Sequence, residues 1–423
     1  MSNTAFNANG VRVHRLDNGF TVALEHLPYL HTASFGLWIK TGSAVETASE
    51  AGLAHFLEHL FFKGTLTRTV HQIMEAVEGR GGYINASTSR EYTNIYLRMP
   101  SHHVAAGIEI LGDIAGHSLF ADMEKERGVI LEEISSTEDN PDELAYDLLT
   151  EYHWPDHPLG RPIAGTAQTV SALTREDVVR FYETWYKPGN MVFSIAGNFD
   201  EAAVLAQVSA VFGEWKPGTV PELSPPPAFR AGASVVRRPI TQAHVTMSFA
   251  GLSSSDAERY VGAMMVNILG GGSTSRLFER IREEEGLAYS IYSYHYNYVS
   301  TGTFGVYQAV APQNNARATE LVYGELRRMR DEAVPDHELE MNREQIKGSL
   351  LMSLESSTAR AARIAKGILL HGRVQTVAEI VEKFDAVNAE QIQELARNTF
   401  TRDKCAYLVV APKGVKKPKV ELP

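Results

Sequence analysis

His55-Phe56-Leu57-Glu58-His59 sets two imidazoles and a carboxylate at a spacing that could serve one reaction. On a helix, positions 55, 58 and 59 fall on one face, because i, i+3 and i+4 are neighbours at 3.6 residues per turn. Two imidazoles one turn apart can grip a single Zn²⁺, and the carboxylate beside them can handle a proton of water activated there. A catalytic zinc takes three protein ligands and keeps one position open, so a third ligand must come from elsewhere. Glu126 and Glu133 lie seven residues apart in Glu124-Lys125-Glu126-Arg127-Gly128-Val129-Ile130-Leu131-Glu132-Glu133-Ile134 and share a helix face. Val129, Ile130 and Ile134 give that helix an apolar stripe, and Glu133 is preferred to Glu132, which is rotated by about 100°. Glu126 could ligate, stay solvated, or accept the second N–H of His59; ligating histidines normally hand that proton to an acceptor, which favours the last role. His71, His102, His103 and His153 show no metal spacing with anything and are read as structural.

The elements that must hold these residues can be outlined. Thr47-Ala48-Ser49-Glu50 has capping-box spacing, apolar residues recur through Leu60-Phe61-Phe62, and Lys63-Gly64 is a C-terminal stop, so the motif sits on a helix. Lys216-Pro217-Gly218 through Pro225-Pro226-Pro227 has little periodicity and reads as a linker between two domains, 1–216 and 236–423. The same order of elements recurs on either side. Strand 33–39 answers to 244–250, and the His55 helix to one beginning near Asp256 and running to Leu269. The strand pair 83–99 answers to 288–311, and the Glu126 helix to a long helical run from Asp336 to Leu370. Each half closes with a helix and a strand, Arg175–Trp185 into Met191–Ala196 and Ala389–Thr399 into Ala406–Ala411. Hydrophobic strands with helices on one face indicate an α+β fold in each half. Where the first half has His55 and His59, the second carries Ala263 and Asn267, so one metal ion per chain is expected.

Composition bounds the rest. A chain of 423 residues suits two domains, and 44% hydrophobic with 22% charged residues is ordinary for a globular protein. A formal charge of −11 argues against a general nucleic-acid binder. Cys405, the single cysteine, excludes an intrachain disulfide; its apolar run, Ala406 to Val410, marks it as a small buried hydrophobe. Residues 1–7 have neither a basic n-region nor an apolar core, and no stretch approaches a membrane span, so a cytoplasmic protein without membrane contact is expected.

His55-x-x-Glu58-His59 is the inverzincin signature, and the chain resembles the pitrilysin-type zinc peptidases, the group of insulin-degrading enzyme and the mitochondrial processing peptidase. The resemblance rests also on Phe62-Lys63-Gly64-Thr65, Gly82-Tyr83-Ile84-Asn85-Ala86-Ser87-Thr88-Ser89-Arg90-Glu91, Glu126 through Glu133, His157-Pro158-Leu159-Gly160, Ser275-Arg276-Leu277-Phe278 and Arg282 through Tyr289. The 73 residues between His59 and Glu133 are slightly fewer than is usual, which a short loop deletion explains. The resemblance implies two homologous α+β domains, each a mostly antiparallel sheet with helices on one face. It implies a zinc endopeptidase acting on unstructured peptides, with Zn²⁺ on His55, His59 and Glu133 and with Glu58 as general base. It gives Asn85 and Ala86 the task of holding peptide backbone at a strand edge; the ordinary alternative is an edge strand with an asparagine near a turn. It assigns Arg282 and Tyr289 to the tetrahedral intermediate, against the alternative of a surface ion pair with Glu279 or Glu285 plus a core tyrosine. A chain carrying both sets implies a homodimer enclosing a chamber, with a heterodimer as the other arrangement. The competing functions are a catalytically silent partner subunit and a structural homologue in a larger complex.

Overall fold

In the computed structural model, which describes residues 3–8, 10–416 and 419–422, the chain builds two sheets. Met1 and Ser2, part of the N-terminal segment considered above, lie outside the described residues. The first sheet contains β1 (Asn3–Ala8), β2 (Val11–Arg15), β3 (Thr21–His26), β4 (Thr32–Ile39), β5 (Tyr83–Thr88), β6 (Thr93–Pro100) and β7 (Met191–Gly197). Their order is β1-β2-β3-β7-β4-β6-β5, and only β3 and β7 run parallel. The second sheet contains β8 (Gly232–Arg237), β9 (Ala243–Gly251), β10 (Ala288–Asn297), β11 (Gly302–Val310) and β12 (Cys405–Ala411). Its order is β10-β11-β9-β12-β8, again with one parallel pair, β12 and β8. Without β1 and β2, the first order maps strand for strand onto the second, including the position of the parallel pair. The internal duplication is therefore one of topology.

Alternation in β4 explains how its sheet is covered. Ala33, Phe35, Leu37 and Ile39 face a core shared with the helices Leu53–Phe61, Val104–His117, Arg175–Trp185 and Glu201–Phe212. Trp38 points the other way, onto Ala361, Ala365 and Leu369 of the helix Ser357–His371. Small residues let that helix approach closely: Ser34 and Ser357 hydroxyls lie 2.9 Å apart, and Ser194 donates to the Ala361 carbonyl. The second sheet repeats the plan. Leu144, Ala145 and Leu149 of the helix Pro141–His153 cover Ala406, Leu408 and Val410 of β12. The intervening Cys405, Tyr407 and Val409 enter the main core instead. Among the described residues, each sheet thus carries its helical layer on one face and a single helix on the other.

Compactness consequently divides the chain differently from its duplication. One unit comprises residues 1–134, 162–224 and 351–376; the other comprises 135–161, 225–350 and 377–423. The helical run expected from Asp336 to Leu370 is two helices, Asp336–Ser353 and Ser357–His371, with Ser356 capping the second. The stretch expected as linker to residue 235 is irregular only to residue 231, because Gly232–Arg237 pairs with β12 as β8. Among the described residues, no helix is long and apolar enough to cross a membrane.

Candidate metal centre

The His55 helix, Leu53–Phe61, is held at its start by two devices. Gly52 has φ +94°, and a Cβ there would lie 2.5 Å from the Ala164 carbonyl oxygen, so only glycine fits without strain. The buried carboxylate of Glu46 accepts from the N–H groups of Gly52 at 3.0 Å and Ala54 at 2.7 Å, satisfying donors that a helix leaves free. The Thr47–Glu50 capping box exists, but it closes a short 3₁₀ turn, Ala48–Glu50, ahead of the helix rather than the helix itself. Leu53, Ala54, Phe56, Leu57, Leu60 and Phe61 are buried, which leaves the face of 55, 58 and 59 for chemistry.

The helix Met123–Asp139 faces it. Ile130 and Ile134 anchor this helix in the core, whereas Val129 is 47% exposed and takes no part in the expected apolar stripe. Arg127 ties it down further, donating to the Val170 and Leu173 carbonyls. Just before the helix, Phe120 and Asp122 hold left-handed φ angles of 47° and 55°, and Asp122 O accepts from Glu126 N at 3.0 Å.

His55, His59 and Glu133 converge. Nε2 of His55 lies 3.6 Å from Glu133 Oε1, and Nε2 of His59 lies 3.7 Å from Oε2. One ligand atom from each residue falls within 4.8 Å of the others, and no other such group of three occurs among the described residues. These separations are too long for hydrogen bonds. They resemble the edges of a tetrahedron about an ion with bonds of about 2.0–2.1 Å, which are roughly 3.3 Å long. Two imidazoles and a carboxylate are also a donor set that zinc accepts, so the residues fit a zinc ion. Burial, with His59 alongside, pushes His55 down to about 4, so its ring is neutral and has a lone pair to offer near neutral pH.

Glu126 stands behind His59. Its Oε2 lies 3.3 Å from His59 Nδ1, and its side chain is only 4% exposed against 49% for Glu133. Nδ1 of His55 is buried with no hydrogen-bond partner among the described residues. Glu58 lies beside the cluster. Its Oε2 accepts from the Thr88 hydroxyl at 2.6 Å; burial raises its carboxyl pKa, against the opposing influence of Thr88 and His59. Thr88 is the last residue of β5, the outermost strand of its sheet, so the free edge of β5 leads towards the carboxylate of Glu58. Asn85 and Ala86 lie on that strand. Asn85 is exposed and Ala86 buried, and the Ala86 N–H donates to Asn85 Oδ1 at 2.9 Å.

Arg282 and Tyr289 belong to the second unit. Arg282 lies in a π-helical turn, Phe278–Glu284, donates to the Tyr289 carbonyl at 2.7 Å and stacks 4.7 Å over the Tyr289 ring. The pairing of β10 with β11 shifts register between Ala288 and Ser290, so Tyr289 is the extra residue of a bulge, 77% exposed. The alternative of a core tyrosine is therefore incorrect. Glu285 is held by Arg317 and Arg280 instead, and the carboxylate beside Arg282 is Glu283.

The second half's counterpart of the metal site is uncharged. Asn267, at the place of His59, donates to Asn342 Oδ1 at 2.7 Å and Gln345 Oε1 at 2.9 Å, so amides replace imidazole and carboxylate. His71, His102, His103 and His153 join no cluster of potential ligands among the described residues. Sequence reasoning missed Glu46, Thr88 and the side-chain role of Lys63, which lies 2.8 Å from Glu126. For Lys63 a signal existed in the sequence, since it follows His59 by four residues, although the helix itself ends at Phe61.

Comparison with known proteins matches the two halves to different family models. Residues 21–167 match the profile of insulinase, peptidase family M16, and residues 172–346 match that of the peptidase M16 inactive domain. The chain is 35% identical over 406 residues to an uncharacterized zinc protease of Bacillus subtilis, covering 96% of this chain and 99% of that one. It is 36% identical to an uncharacterized zinc protease of Streptomyces coelicolor, covering 93% and 88%. The crystal structure of a protease from Helicobacter pylori has the same fold, with a TM-score of 0.89 at 21% identity over 95% of this chain and 99% of that one. The topology, the converging histidines and glutamate, and these relatives place the chain in peptidase family M16.

Proposed function

We propose that the chain is a zinc-dependent endopeptidase that hydrolyses unstructured peptides or unfolded segments. The observation that carries this reading is the convergence of His55, His59 and Glu133 with Glu58 alongside. Zinc held by these three residues would supply a Lewis acid that lowers the pKa of a water in its open position. Glu58 accepts the proton of the attacking water and returns it to the leaving amine; Thr88 fixes the carboxylate, and burial raises its proton affinity towards the working pH. The free edge of β5 receives an extended peptide by strand addition, which requires the Asn85 side chain to release the Ala86 N–H. Arg282 and Tyr289 of a second copy of the chain stabilise the developing oxyanion, a role suited to an exposed phenol beside a guanidinium.

The test is cleavage of a library of short unstructured peptides by the purified chain with and without a chelator, alongside Glu58→Gln. One zinc equivalent per chain is expected, with cleavage abolished by the chelator and restored by zinc. Glu58→Gln should retain the metal while turnover falls by a factor on the order of 10² to 10⁴. Near-normal turnover in Glu58→Gln removes Glu58 as the base. A zinc-loaded parent that binds these peptides but cuts none is instead a silent peptide-binding subunit.

A further inference from the structure

We propose that Lys63 is a positioning residue of the metal centre: it holds Glu126 in place as the acceptor for the Nδ1–H of His59. The proposal deepens the zinc reading and rests on it. The His55 helix ends at Phe61, and Gly64, at φ +100°, turns the chain away immediately after Lys63. Lys63 lies two residues beyond that end, where its N–H donates to the Leu60 carbonyl at 3.2 Å, and the turn brings its side chain to the carboxylate that His59 meets. The two meet one carboxylate. Lys63 Nζ lies 2.8 Å from Glu126 Oε1, and His59 Nδ1 lies 3.3 Å from Oε2. The last turn of one helix and the bend just after it thereby grip a carboxylate of the facing helix at both oxygens.

Burial explains why the grip is needed. Glu126 is 4% exposed, and a carboxylate removed from water persists as an anion only when it is paired. His59 supplies one hydrogen bond, and the Lys63 ammonium supplies the opposite charge. Glu133, 49% exposed, is solvated, and among the described residues no Lys or Arg lies within ion-pair distance of it. The pairing therefore separates two glutamates of one helix face: Glu126 is committed to Lys63 and His59, while Glu133 is left for the ion. With Glu126 fixed, the His59 ring is locked in the tautomer that turns its Nε2 lone pair towards Glu133. A dication and one ammonium also balance the three carboxylates Glu58, Glu126 and Glu133.

The experiment measures zinc affinity by chelator competition for the full chain and for Lys63→Met, Lys63→Arg, Glu126→Gln and the Lys63→Met/Glu126→Gln double variant. Melting of the metal-free proteins is recorded in parallel. Lys63→Met should weaken zinc binding about 10-fold or more, in the range typical for groups that orient a ligand. Lys63→Arg should recover most of the loss, and the double variant should bind no more weakly than Glu126→Gln alone, because Lys63 acts through Glu126. Unchanged or tighter binding in Lys63→Met overturns the proposal, as does an additive double variant. If Lys63→Met weakens binding only in proportion to a general loss of metal-free melting temperature that Lys63→Arg does not repair, the residue is structural and the proposal fails. A parent chain that holds no zinc overturns the metal reading itself, a result distinct from an intact parent with an indifferent Lys63.

Discussion

The general-base role proposed for Glu58 has two requirements, proton affinity and fixed aim, and they have different sources in its surroundings. Burial raises the carboxyl pKa, and the Thr88 hydroxyl fixes one oxygen. The spacing of His55, Glu58, His59, Glu126 and Glu133 was legible because all five obey helical periodicity. Thr88 and Glu46 were not, because they reach the helix from a strand and a loop, and periodicity carries no information across such gaps. Another histidine shows burial acting on stability alone. His295 in β10 stacks on Phe304 at 4.1 Å, lies 2.9 Å from the Asn297 amide nitrogen, and is pushed by burial down to about 4. An unfolded chain protonates this ring near 6.5 and the folded one only near 4, so the unfolded state binds more protons between those values. The stability His295 contributes is thus complete above pH 6.5 and is lost as pH falls towards 4, at a cost on the order of 2 kcal/mol. Thermal melts of the parent and of His295→Gln from pH 7.5 to 4.5 should show the parent losing stability more steeply. Parallel curves would mean that the ring titrates normally in the fold.

The strand and helix order of each half was readable because each element has its own period and its own stops. What escaped was long-range. Helix Pro141–His153 and helix Ser357–His371 each bury an apolar stripe on a sheet from the other half of the sequence, and no local pattern names the surface a stripe will choose. The break at residues 354–356 was masked for a related reason, since Leu354-Glu355-Ser356 suits a helix interior until Ser356 is seen to cap the next helix. β5 carries an expectation of its own. Among the described residues it is an outermost strand paired with β6 alone, and it ends at the Thr88 that touches Glu58. An added peptide strand binds such an edge through its backbone, so only extended segments can dock. Proline placed next to the scissile bond of a good substrate removes a backbone donor and should slow turnover by about 10-fold or more, since one lost bond costs roughly 0.5–1.5 kcal/mol and strain adds to it. A matched series of proline-scanned peptides measures this; proline tolerated at every position would exclude strand addition.

The whole molecule poses the question of how one chain completes a site. The candidate metal ligands lie in one compact unit, while Arg282 and the bulged, exposed Tyr289 lie in the other, so a single chain carries both sets of residues that the proposed mechanism uses. A heterodimer would distribute these groups between two different subunits. A chain that carries them all can pair with a copy of itself, and twofold symmetry then yields two equivalent sites, each with its metal ligands from one copy and Arg282 and Tyr289 from the other. Two inactive proteins distinguish the arrangements. Glu58→Gln lacks the base but keeps the phenol; Tyr289→Phe keeps the base but lacks the phenol. When the two are mixed and allowed to exchange subunits, a shared-site dimer gains one site with Glu58 from one copy and Tyr289 from the other, and the opposite site carries both lesions. Activity should therefore rise from near zero towards half that of the parent per mixed dimer, following the exchange seen by native mass spectrometry. If exchange proceeds and activity stays at the level of the separate variants, Tyr289 acts within its own chain or not at all, and the shared-site dimer is excluded.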